Sequence, residues 1–202
     1  MKTFYSNALA AALAAAFAAG GALAQSNTPG GNGPSVSTTV PATPGAKTAG
    51  VKPAKVAHGD RKFMTKVAAE GMYEVEVAKL AAGKASSPEL KTFANMMVDD
   101  HTKANAELAQ LAGSRGVELP AALSHGQRRD LEKMGKRSGD QFDREFAKEV
   151  GLKDHKKDIK AFEKESGKAK DPELKAWVDK TLPTLRAHLD AATKLPQNQG
   201  KG

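Results

Sequence analysis

The 202-residue chain contains no cysteine, which excludes disulfide staples and thiolate chemistry. Aromatic residues make up only 5%, so a core has to come from Ala, Leu, Val, Met and a few Phe. That supply suits packed helices and argues against a sandwich or barrel, which draws on β-branched and aromatic residues. No barrel-like alternation of apolar and polar residues is present. Gly-x-Ser-x-Gly, a phosphate-binding loop and His-Glu-x-x-His are all missing, so the sequence carries no enzyme signature.

What is present begins with an address. Lys2 is followed by an apolar run from Ala8 to Ala19, too short for a stable membrane anchor. Ala22-Leu23-Ala24 then offers the small-x-small pattern behind which signal peptidase cuts. Gln25, not Cys, follows the cut, so a lipoprotein anchor has no support. Residues 1–24 are expected to be a signal peptide, cleaved near Ala24/Gln25, which sends the chain to the periplasm or the medium. Residues 25–58, rich in Ser, Thr, Pro, Gly and Ala, cannot bury enough apolar surface to offset ordering and are expected to form a disordered linker. The domain is expected over 59–195, with a disordered tail over 196–202.

Four stretches carry helical apolar spacing. They run over about 60–83 (Phe63, Val67, Gly71, Val75, Ala78), 88–113 (Leu90, Phe93, Met97, Ala104, Leu108, Leu111), 138–167 (Phe142, Phe146, Val150, Ile159, Phe162) and 172–195 (Leu174, Val178, Thr181, Leu185, Leu189, Ala192). A short helix is expected over 127–136. Ser87-Pro88-Glu89-Leu90-Lys91 and Asp171-Pro172-Glu173-Leu174-Lys175 share one layout: an N-cap oxygen, proline at N1, and a glutamate favoured by the helix dipole. The pattern predicts an all-α, ferritin-like four-helix bundle made of two helical hairpins with a long central crossover. Pro183 inside the last helix is expected to kink it.

Three histidines lie on apolar stripes, one per helix: His101, His155 and His188. Glu70 and Glu74 interrupt the stripe of the first helix. Counting from the hairpin turns at about 1.5 Å per residue puts all five near the middle of helices roughly 35 Å long. A mid-bundle polar layer results. Buried imidazoles and carboxylates are costly unless paired or metal-bound. Imidazole and carboxylate from facing helices are the usual ligands of bundle-core metal sites. A divalent ion (Fe, Zn, Cu or Mn) held by Glu70, Glu74, His101, His155 and His188 is therefore one expectation, with Asp100 and Asp154 at the rim. Met72, Met96 and Met97 offer soft donors for copper but equally fill a core. No glutamate has a histidine three residues on, so the di-iron spacing is missing. The other expectation is a structural or partner-binding bundle in which His and Glu bond one another.

A resemblance joins these readings. Glu70-Gly71-Met72 with Glu74-Val75-Glu76, Pro88-Glu89-Leu90-Lys91 with Phe93-Ala94, Met97-Val98-Asp99-Asp100-His101, Leu119-Pro120, Phe142-Asp143, Asp154-His155, and Leu182-Pro183 with His188-Leu189 resemble the bacterial secreted family called domain of unknown function 4142. The resemblance implies a ferritin-like fold and an envelope location. It supplies no activity. The net charge of +8 is spread over helix faces, and no nucleic-acid partner is expected. Lys153, Lys156, Lys157 and Lys160 would offer envelope anions a peripheral contact.

Overall fold

The computed structural model describes residues 56–198; the expected signal peptide, nearly all of the expected linker and residues 199–202 lie outside the described residues. Helices α1 (His58–Lys84), α2 (Pro88–Ser114), α3 (His125–Gly135), α4 (Gly139–Phe146), α5 (His155–Lys168) and α6 (Pro172–Thr193) follow in order. A π-helical segment, Ala147–Asp154, joins α4 to α5, so α4, this segment and α5 together are the third long helix of the sequence reading. No strand occurs among the described residues. The architecture is the expected four-helix bundle: hairpin α1–α2, hairpin α4/α5–α6, and a crossover that carries α3 across α1. Among the described residues, no helix is long and apolar enough to cross a membrane.

The two matching helix starts behave alike. Ser87 Oγ accepts from Leu90 N at 3.2 Å, and Asp171 Oδ1 accepts from Glu173 N and Leu174 N at 2.9 and 3.0 Å. Proline at N1 gives up no hydrogen bond there. Each hairpin turn is also held by the other hairpin. Buried Asp60 of α1 accepts from Lys170 N and Asp171 N, at 2.9 and 2.7 Å. Buried Asp143 of α4 accepts from Ser86 N and Ser87 N, at 3.0 and 2.8 Å. Free backbone donors at both turns are thereby satisfied without water.

Two domain edges differ from expectation. Val56 is buried in the core and α1 starts at His58, so order begins within the expected linker. The tail opens with a 3-10 turn, Pro196–Asn198, rather than disorder. Asn198 Nδ2 donates to the carbonyls of Ala192 and Ala147 at 2.8 and 3.3 Å, which anchors that turn to two helix ends.

The core is not continuous along the bundle. One apolar cluster gathers Phe63, Leu111, Phe162, Trp177 and Leu185. The other gathers Phe93, Met97, Phe142, Phe146 and Ala192. Each long helix changes cluster where its stripe turns polar: at Glu74 in α1, His101 in α2, His155 at the start of α5, and His188 in α6. Two close approaches bring backbones together near this layer. A Cβ on Gly71 would sit 2.1 Å from Asn105 Oδ1, and one on Gly151 would sit 3.1 Å from Ala192 Cβ. Neither position has room for a larger residue without movement.

Candidate metal centre

Three imidazoles from three helices meet between the two apolar clusters. His155 and His188 are 0% and 1% exposed, and His101 is 6% exposed. Their ring centroids lie 5.2–5.7 Å apart. One nitrogen from each lies within 4.8 Å of the others. Phe93 packs on the rings of His155 and His188, with centroids 6.4 and 6.3 Å away, and closes the layer on that side.

The hydrogen bonds fix which nitrogens carry protons. The π-helical register ahead of His155 lets its ring fold back onto the chain, with Nδ1 2.9 Å from the carbonyl oxygen of Val150. Such π segments are frequent at functional sites. A carbonyl only accepts, so Nδ1 of His155 holds the hydrogen and Nε2 holds the lone pair. His188 Nε2 is 2.9 Å from Asp100 Oδ2, a carboxylate that likewise accepts, so His188 Nδ1 is the bare nitrogen. The two bare nitrogens, His155 Nε2 and His188 Nδ1, face each other at 3.2 Å. Lone pair meets lone pair, with no hydrogen between them.

A proton could bridge the pair only by charging a ring. Burial opposes that, pushing His155 down to about 3 and His101 down to about 4. Burial lowers His188 as well, against the pull of Asp100. The third ring adds to the deficit. His101 Nδ1 lies 3.2 Å from Glu74 Oε2, while its Nε2 has no hydrogen-bond partner. His155 and His188 thus turn unshared electron pairs inward, with the Val150 carbonyl and Asp100 behind them, and His101 sets its unpartnered Nε2 beside them with Glu74 behind its Nδ1. That is the pattern in which a partner oxygen orients a metal-ligating histidine. Metal–nitrogen bonds of about 2.0–2.1 Å place ligand nitrogens about 3.3–3.5 Å apart, so the closest pair already has the spacing of a shared ion.

The predicted carboxylates divide. Glu74 joins the layer, 5% exposed, and burial pushes it up to about 8. Glu70 does not: its carboxylate pairs with Lys66 and, at 2.6 Å, with Lys157 on the surface. Glutamates four apart share a helix face, and the side facing lysines took Glu70. Asp100 reaches His188 on the neighbouring helix. Asp154 is raised by burial and lines a cleft with Tyr73, whose hydroxyl burial pushes up to about 12. Sequence reasoning missed Asp158, which is buried beside Glu74 and raised to about 8 by burial and then by Glu74. Its position three after His155 was the available signal. Met97 lies in the apolar cluster with Phe93, and Met96 packs against that cluster. On the outside, Lys148, Lys153, Lys156, Lys157 and Lys160 share a shallow groove with Leu152.

The chain belongs to the family described as domain of unknown function (DUF4142), which matches it over residues 45–195. No curated protein matches it. Among solved structures it is similar to "CopM in the Cu(I)-bound form", with a TM-score of 0.58 and 20% identity. The likeness covers 69% of this chain and 96% of that one, and it shows the shared helical fold.

Proposed function

We propose that the bundle binds one transition-metal ion, copper foremost, through His101 Nε2, His155 Nε2 and His188 Nδ1, and so sequesters or buffers that metal in the periplasm or the medium. The observation that carries this reading is the 3.2 Å approach of two bare imidazole nitrogens, both on buried side chains. A cation turns that repulsion into two bonds. An all-imidazole set suits copper, zinc, iron and nickel, and copper ranks highest among the divalent ions. The three ligands are neutral, so a singly charged ion is the least costly to bury among them. The copper-bound state of the similar structure supports the same choice. Glu74 approaches the far side of His101, which suits it to orient that ring rather than to ligate.

The test is elemental analysis of the mature domain, purified without affinity tag or chelator and then challenged with copper and zinc. Near-stoichiometric metal is expected, lost in His101→Ala. Removing the metal with a chelator should lower the thermal stability of the wild type and leave that of the variant unchanged. A folded protein that refuses both added metals would end this reading.

A further inference from the structure

A cleft of about 490 Å³ opens between α1, α3 and the π–α5 helix, and the centre described above leaves it without a role. Seven carboxylates and four cationic side chains line it, an excess of negative charge in a chain whose net charge is +8. Glu74 and Asp158 lie at its buried end. Both also border a chamber of about 30 Å³ that touches His101. Glu74 Oε1 is buried and has no hydrogen-bond partner, while Glu74 Oε2 lies 3.2 Å from His101 Nδ1.

We propose that this cleft is the entry path for the metal ion, and that Glu74 and Asp158 form a carboxylate subsite where a divalent cation rests before it passes to the imidazoles. The inference rests on the metal-centre reading. A cleft whose carboxyl groups outnumber its cations favours a cationic guest. A hydrated cation entering it meets carboxylate oxygens that replace part of its water before it reaches nitrogen. Glu74 and Asp158 form a buried carboxyl pair with a side-chain hydrogen bond between them, and a cation would take the place of the proton they share. The last step falls to His101. His155 is held by Val150 and His188 by Asp100, each through a hydrogen bond. His101 has only its approach to Glu74, and the chamber beside it gives its ring room to turn. Phe93 and the apolar cluster close the layer on the side toward Phe146.

The experiment follows the d–d absorption of Cu²⁺ reaching the imidazoles in stopped flow, with His101→Ala setting the background from surface histidines. Two variants of the full mature chain are compared: Asp158→Asn, nearly isosteric at the subsite, and the double variant Glu149→Gln/Asp154→Asn on the cleft wall. Loading should slow by about tenfold or more, the scale of charge focusing. Stripping by a chelator should slow in parallel, so that the equilibrium affinity stays within about twofold, as expected of groups that lower a barrier from both sides. Wild-type rates in both variants would overturn the entry path and leave the centre standing. Binding of Cu⁺ but not Cu²⁺ would overturn the divalent subsite and leave the centre standing, and failure to bind copper in either oxidation state would overturn both.

Discussion

Replacing the polar layer with hydrocarbon separates a metal centre from a structural network. Consider Glu74→Met together with His101→Leu, two changes of nearly conserved volume. In the metal-free protein Glu74 Oε1 and His101 Nε2 are buried without partners. A buried orphan costs about 1–3 kcal/mol, and replacing both partners of a polar contact with apolar groups is neutral or stabilising. Against that gain stand the lost 3.2 Å approach, worth about 1 kcal/mol, and imperfect packing, worth less than about 1.5 kcal/mol. The metal-free double variant should therefore be more stable than the wild type by about 1–3 kcal/mol. In a domain of this size that is roughly 3–10 °C in melting temperature. Urea and thermal unfolding of metal-free mature chains measure it. Adding copper at about a hundred times its dissociation constant should stabilise the wild type by about 2.7 kcal/mol and the double variant not at all, which narrows or reverses the order. A metal-free double variant destabilised by about 1 kcal/mol or more would refute the reasoning. It would mean that the layer is bonded well enough to hold the fold by itself.

Two further outcomes follow from the same geometry. Asp100→Ala should weaken copper binding by about tenfold, the low end for an orienting partner, because Asp100 is 42% exposed and water takes its place on His188. Competition with a chelator of known affinity reads this out, and unchanged affinity would deny Asp100 its orienting role. The pH profile of the metal-free domain has opposing limbs. The three histidines are depressed in the folded state, so the unfolded chain binds more protons and stability is lost as pH falls below about 6.5. Glu74 and Asp158 are raised to about 8, so their stabilising effect is present at low pH and is lost as pH rises from about 4 to 8. Three sites against two put the maximum at about pH 6. A urea midpoint that climbs steadily from pH 6 to 8 would contradict this assignment.

The bundle was readable because its helices announce themselves twice, by apolar spacing and by the repeated Pro-Glu-Leu-Lys starts. The histidines were readable as polar interruptions of a stripe, since a residue on that stripe has to face the core. The partners behind them were harder. Asp100 is about 100° from His101 on its own helix, which told of the rim but not that it would serve His188 of α6. The π segment left no trace in the apolar pattern, because Phe142, Phe146, Val150 and Ile159 satisfy an α-helical period well enough. Yet that segment is what turns His155 Nδ1 onto Val150. Glu70 and Glu74 share a face, and only the lysines Lys66 and Lys157 around Glu70 decide which one goes inside.

Buried polar groups link the two hairpins at three heights, and they are not alike. At one end Asp60 receives two backbone donors from the facing turn, and at the other Asp143 does the same. Folding alone accounts for both, since each leaves its turn satisfied. The middle layer takes His101 from the first hairpin and His155 and His188 from the second. It leaves Glu74 Oε1 and His101 Nε2 without partners and sets two lone pairs face to face. Leucine at those positions would extend the apolar clusters above and below. Trp177 Nε1 and Gln197 Oε1 are also buried without hydrogen bonds, but each stands by itself, whereas the middle layer gathers its unsatisfied groups from three helices into one place, and such places are where function is expected. A bound ion would then join the hairpins at mid-height, so its binding free energy would add to folding. In a chain without cysteine, such an ion would tie three helices together where no disulfide can.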